Sequence, residues 1–291
     1  MVDFVKIAIR DGHFIKNSKL LDFKVLVSSK TGELENKLTA KHKGLKFYLY
    51  DSGRLIIQGS LHKYKNNGAY NYNDFTLNEL INVIKSLLDD FELKPYLCKL
   101  LNIEFGLNLE PFGDINKLLD GLVEHKGKKF DSSSNGNFRE CEHSDYKIKI
   151  YNKSEQCKLQ KPKLRYEIHF NKMRKLRPMK IETLKDLIDH DWTSSIIDYL
   201  LKIWDEVLLI DYTLDAEFNI KRISWLNPNY WKSLSPMQKS RERKKMNEII
   251  LSHSRRLQLN NKLRIESKWN DLRTMEKVDV SNSPFNYRVN L

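Results

Sequence analysis

Between residues 145 and 153 the chain reads D-Y-K-I-K-I-Y-N-K, and this two-residue alternation constrains the fold more than any other feature. Period two belongs to a β-strand, whose successive side chains leave opposite faces. Tyr146, Ile148 and Ile150 then form an apolar face, while Lys147, Lys149, Tyr151 and Lys153 share the other. The stretch L-R-Y-E-I-H-F repeats the device, with Leu164, Tyr166, Ile168 and Phe170 facing inward and Arg165, Glu167 and His169 on the polar side. In residues 100–109, Leu101, Ile103, Phe105, Leu107 and Leu109 oppose Asn102, Glu104, Gly106 and Asn108. Strands with one apolar and one polar face suit antiparallel sheets.

Further strands are expected at 2–9 and 21–28, with a hairpin at 44–50 and 54–61 turned by Asp51-Ser52-Gly53. Thr76 with Glu79 forms a capping box that opens an amphipathic helix to about residue 91. A helix is expected at 115–125 and a loop at 126–137. Past the linker 175–180, which contains Pro178, the texture becomes helical. Residues 183–188 and 193–209 have helical spacing, 237–259 form a basic helix, 264–272 a shorter one, and 282–291 a loose tail. The expected fold is α+β: a mostly antiparallel sheet with helices packed on one face, followed by a helical basic C-terminal region.

The net charge of +13 is unevenly spread, since residues 221–274 carry 14 Lys/Arg against 4 Asp/Glu. Such asymmetry suits an acidic polymer, of which nucleic acid is the usual one. No run approaches the roughly 18 apolar residues of a membrane span, so no membrane partner is expected. The first residues, M-V-D-F-V-K, are broken by charge and read as a strand, not a signal peptide. Cys98, Cys141 and Cys157 are odd in number, lack metal-like spacing and fit a reducing cytoplasm.

If the polar strand faces belong to one sheet, they assemble an inventory for phosphodiester chemistry. Glu104 and Glu167 would offer oxygen ligands to a hard divalent cation, with His62 or His169 as a nitrogen ligand. Tyr151 would be the nucleophile, and Lys147, Lys149, Lys153 and Arg165 would hold phosphates. A phenol of pKa about 10 attacks poorly unless a base or neighbouring cations favour the phenolate. The same alternation is also what a plain solvent-facing antiparallel strand shows.

At these residues the chain resembles the replication initiators that start rolling-circle replication of small plasmids and single-stranded DNA phages. I-Q-G-S-L-H-K-Y-K-N-N-G, residues 57–68, is similar to the G-S-x-x-K-aromatic segment of filamentous-phage replication endonucleases. N-I-E-F-G-L-N, residues 102–108, sits where related initiators place an acidic strand residue. K-I-Y-N-K-S-E at 149–155, followed by L-R-Y-E at 164–167, resembles the Y-(N/D)-K-x-x-E…R-F-E pattern of plasmid initiators.

The resemblance implies an origin nickase and ligase that stays joined through Tyr151 to the new 5′ end and leaves a 3′ hydroxyl. Lys149 and Lys153 would assist, with Mg²⁺ or Mn²⁺ held by Glu104, Glu167, His62 and His169. Many such nucleases use a His-x-His pair, which this chain lacks. Residues 1–175 would be the catalytic nickase domain and 176–291 a helical, basic DNA-binding and support region. Lys63, Lys147, Arg165, Lys239, Arg241, Arg243, Lys244 and Lys245 would contact phosphates, and Trp231 would stack unpaired bases. Single-stranded or origin DNA, a host polymerase and a helicase are the expected partners, in the cytoplasm of a bacterial host. The rival expectations are a non-catalytic DNA-binding replication accessory protein or regulator, and a nuclease that uses a metal-activated water.

Overall fold

The computed structural model describes residues 1–27, 30 and 32–274. Ser28 and the expected tail at 282–291 lie outside the described residues. Strands form where expected at β1 (Val2–Ile9), β2 (Lys24–Val27), β4 (Leu45–Tyr50) and β5 (Leu55–Ser60), and β3 (Leu34–His42) joins them between β2 and β4 without having been expected. After β5 come α1 (Leu61–Lys65), α2 (Leu77–Asp90), β6 (Lys99–Leu109), α3 (Ile115–Asp120), β7 (Leu122–His125), β8 (Lys128–Lys129) and β9 (Asp131–Ser132). The site strands follow as β10 (Phe138–Glu142), β11 (Tyr146–Asn152), α4 (Lys153–Cys157) and β12 (Leu164–Phe170). The rest is α5 (Leu184–Asp189), α6 (Trp192–Asp205), β13 (Val207–Leu209), α7 (Asn219–Leu226), α8 (Pro228–Ser233), α9 (Pro236–His253) and α10 (Leu257–Thr274). No helix among the described residues is long and apolar enough to cross a membrane.

Ten strands form one antiparallel sheet in the order β2-β3-β4-β5-β1-β6-β12-β11-β10-β9. The fold is therefore α+β with a large antiparallel sheet, as its alternation requires. Its apolar face is closed by α6 and α10: the Phe105 ring lies 5.5 Å from Trp192 and 6.5 Å from Trp269. Tyr166, fully buried on the same face, donates its hydroxyl to the Leu200 carbonyl at 2.9 Å. The continuous core thus draws on residues from Met1 to Leu272.

Helix α2 starts as its capping box dictates: Thr76 Oγ1 accepts from the Glu79 amide while the Glu79 carboxylate accepts from the Thr76 amide. Two expected helices end early, and for one reason. Residues 122–125 and 207–209 do not continue α3 and α6; they pair with each other as β7 and β13, Val207 opposite His125 and Leu208 opposite Glu124. Gly121 closes α3, and β-branched Val123 and Val207 suit the pleated surface better than a final helical turn. With β8 these strands form a small second sheet, over which Val123, Leu208, Ile210, Trp225, Trp231 and Met246 build a separate core. The basic helix likewise divides into α9 and α10, separated by Ser254–Arg256 with Arg256 at φ 55°.

Candidate active site

The three central strands bring the sequence-predicted residues onto one grid. Across β6, β12 and β11 the polar face carries Glu104, His169 and Lys147 in one row. Gly106, Glu167 and Lys149 form the next, then Asn108, Arg165 and Tyr151. Glu104, Glu167 and Tyr151 therefore share a face. They line one cleft of about 690 Å³ with Lys149, Lys153 and His169.

A fourth strand adds a carboxylate that alternation hides. Asp3 is in phase with Val5, Ile7 and Ile9, which would send it into the core. The register between β1 and β6 slips between Val2 and Val5, so that two residues of β1 oppose one of β6. Such a bulge re-aims side chains, and both Asp3 and Phe4 reach the cleft. An acid in the apolar phase was the available signal. Asp3, Glu104 and Glu167 present carboxylate oxygens all within 4.8 Å of one another.

Cations bind this acidic cluster from within the protein. Arg165 Nε donates to Glu167 Oε1 at 2.6 Å, Nη2 to Asp3 Oδ2 at 2.8 Å and Nη1 to Asn108 Oδ1 at 3.1 Å. At 2% exposure Arg165 is an internal strut, which corrects its expected role as a phosphate contact. Gly106 makes the strut possible: a Cβ there would stand 2.6 Å from Arg165 Nη2 and 2.9 Å from Glu167 Cγ. Lys149 Nζ lies 2.5 Å from Glu104 Oε2 and 3.7 Å from Glu167 Oε2.

His169 Nδ1 lies 3.2 Å from Glu104 Oε2, its ring 5.5 Å from that of Phe4. Ser60, which caps α1 through the Lys63 amide, also donates to Asp3, so the G-S-L-H-K segment supports the cluster. Asn71 links the flanking loop, donating to Asp3 Oδ2 at 2.7 Å and accepting from Lys153 Nζ at 2.9 Å.

Tyr151 donates its hydroxyl to Glu167 Oε1 at 3.1 Å. Its ring packs 5.5 Å from Phe138 and carries Lys153 Nζ 5.6 Å from its centroid. Burial first, and the Glu167 charge second, push the phenol well above its ordinary range. The lysines on its strand do not reverse this, because Lys149 pairs with Glu104 and Lys147 with Glu140 and Glu142, each at 3.2 Å. Burial also raises Glu167, aided by Glu104 and Asp3 and opposed by Arg165. Burial would raise Glu104 too, but the His169 hydrogen bond and Lys149 hold it below the usual range.

Three carboxylates suit a hard divalent cation such as Mg²⁺ or Mn²⁺. Glu104 Oε1 stands outside the bonds that Lys149 and His169 make to Oε2, leaving an oxygen for such an ion. His62 sits behind Asp3, whose charge it feels, and does not line the cleft: its ring stacks on Phe75 at 4.8 Å and donates to Asn73 Oδ1 at 2.7 Å. Lys63 reaches the cleft wall. Tyr70 and Tyr72, stacked at 4.6 Å, also line the cleft, from a Gly/Asn-rich stretch at 66–72 whose sequence carries no helical or strand period to mark them.

The basic helix stands apart from this cleft, to which α9 contributes no lining residue. Arg243 pairs with Glu124 at 2.7 Å, Lys239 is half-buried, and Arg241, Lys244 and Lys245 are exposed. Trp231 is 0% exposed and donates to the Trp225 carbonyl at 2.7 Å. Stacking bases on it would require opening the second core, which corrects that expectation.

Two outcomes follow from this packing. Gly106→Ala should lower stability by about 1–3 kcal/mol through overpacking, measured by denaturant unfolding; an unchanged midpoint would mean that Arg165 does not need the lane. Burial holds His62 at about 4, below its ordinary value near 6.5. Between those values the unfolded chain binds the proton first, so stability is intact above about pH 6.5 and falls as pH drops toward 4. His62→Gln should flatten this acid slope in urea titrations, and an identical slope would assign the loss to other groups.

No family model matches the chain, and no curated protein matches it either. Among solved structures it is similar to a rolling circle replication initiator protein from Geobacillus stearothermophilus. The TM-score is 0.42 and the identity 14%, over 77% of this chain and 90% of that one.

Proposed function

We propose that this chain is a metal-dependent DNA nickase and rejoining enzyme of the replication-initiator type, with Tyr151 as its nucleophile. The observation that carries the reading is the Tyr151–Glu167 hydrogen bond at the wall of a cleft where Asp3, Glu104 and Glu167 converge. The phenol has a carboxylate base in contact, and the raised Glu167 is the better acceptor for its proton. A divalent ion held by the three carboxylates would polarise the scissile phosphoryl group.

In the first step Tyr151 Oη forms the bond to phosphorus as its proton passes to Glu167. The bond from phosphorus to the 3′ oxygen breaks, leaving a 5′ phosphotyrosine and a 3′ hydroxyl. Lys153, whose ammonium is made more acidic by burial and by Arg165, stands beside Tyr151 to supply the leaving oxygen's proton. Rejoining is the reverse, with a 3′ hydroxyl as the attacking group. Tyr70 and Tyr72 offer a stacking surface for unpaired bases at the cleft.

A second reading rests on the elevated phenol. A water activated at the carboxylates would attack, and Tyr151 would only orient the phosphate. Incubation with labelled single-stranded DNA and Mn²⁺ or Mg²⁺ separates the two. A covalent protein–DNA adduct that disappears in Tyr151→Phe supports the nickase; cleavage without an adduct supports the water; binding alone supports an accessory protein.

The exposed lysines of α9 generate a further expectation. Replacing Lys244 and Lys245 by Gln should reduce the salt slope of single-strand binding by about 1.4, if each contacts one phosphate. Isothermal titration over a salt series reads this directly, and an unchanged slope would remove α9 from the DNA-binding account.

A further inference from the structure

A second convergence of metal-binding side chains lies at β10, its His143 ring stacked 4.9 Å from that of Tyr146, and the nickase reading makes no use of it. His125 ends β7 and is 0% exposed; Cys141, in β10, is also 0% exposed; His143 follows β10 and is half-buried. Their donor atoms meet although they come from two sheets. His125 Nδ1 lies 2.8 Å from His143 Nε2, and Cys141 Sγ lies 3.5 Å from that same nitrogen. All three atoms fall within 4.8 Å of one another.

The opposite edge of the His125 ring gives an independent sign. Its Nε2 faces Glu206 Oε2 at 3.4 Å, a carboxylate oxygen that Lys126 Nζ also reaches at 2.8 Å, and the His125 nitrogen is buried with no other partner among the described residues. A metal-bound histidine characteristically donates its other ring N–H to a carboxylate, which fixes the tautomer and aims the first nitrogen at the ion. Here that tautomer frees Nδ1, the atom that faces His143 and Cys141.

We propose that His125 Nδ1, Cys141 Sγ and His143 Nε2 bind a divalent ion of the Zn²⁺ class, with water in the fourth position and Glu206 orienting His125. Imidazole and thiolate are the donors such an ion prefers, in contrast to the all-oxygen set of the cleft. Metal–nitrogen bonds of about 2.0–2.1 Å and a metal–sulfur bond of about 2.3 Å set tetrahedral donors roughly 3.3–3.7 Å apart. The sulfur–nitrogen pair already has that spacing, and the two nitrogens need separate by only a fraction of an ångström. Binding releases the Cys141 proton.

The ion would tie the small sheet to the outer edge of the large one. Because β10 pairs directly with β11, Phe138 opposite Tyr151, the tie supports the strand that carries the cleft's phenol.

Titrating the full chain, stripped with chelator, with Co²⁺ alone tests the proposal. One equivalent should bring a near-ultraviolet thiolate-to-cobalt band with tetrahedral visible bands, and Zn²⁺ should displace it. Cys141→Ser should abolish the band. Cys157→Ser should retain it, which excludes the thiol lining the main cleft. His143→Ala, at a half-buried position, should weaken binding by more than about tenfold. Absence of the band from the unaltered chain, its survival in Cys141→Ser, its loss in Cys157→Ser, or undiminished binding in His143→Ala would overturn the site.

Discussion

The cleft depends on one buried guanidinium. Arg165 reaches from β12 across β6 to β1, joining Glu167, Asn108 and Asp3 through its three nitrogens. Burial would by itself make the group easier to deprotonate, but Glu167 and Asp3 more than reverse that. Each ion in such a pair has lost several kcal/mol of hydration, and removing one partner leaves the others uncompensated, typically at about 3–5 kcal/mol. The arrangement is therefore all-or-none. It also binds the start of the chain to residue 165, so the site cannot assemble until β1 is seated.

The same cluster decides the state of Tyr151. Its basic neighbours along β11 suggest a phenol surrounded by positive charge, yet those ammonium groups are claimed by Glu104, Glu140 and Glu142. What the hydroxyl meets is a carboxylate. Burial raises the proton affinity of both partners: the phenol holds its own proton more tightly, and Glu167 is readier to accept one. The Asp3 charge raises both partners, so a cation entering the cluster would act on both at once.

Aromatic residues divide by what surrounds them, not by their type. Trp225 and Trp231 satisfy their indole nitrogens internally, at Glu242 Oε1 and at the Trp225 carbonyl, and close the core under α9. Tyr70 and Tyr72 lie in a polar loop and remain open to the cleft. The positive charge of α9 is partly internal as well, since Arg243 pairs with Glu124 and rests over Trp231. Only its outer residues are available to a polyanion.

By itself, the sequence determined the strands of the site and the faces of their side chains, because period two is local and a one-residue slip would bury every charge. It likewise determined where α2 begins, since a capping box is complete within four residues. Strand partnership was beyond it: 122–125 and 207–209 read as helix ends until each supplies the other's hydrogen bonds. So was the bulge that turns Asp3 out of the core phase, because it exists only against β6. Alternation placed Glu104, Glu167 and Tyr151 on polar faces, but only the pairing of β6, β12 and β11 in register made those faces one. Distances between donors from separate strands are set by tertiary hydrogen bonding, and the chemistry of this cleft is set by those distances.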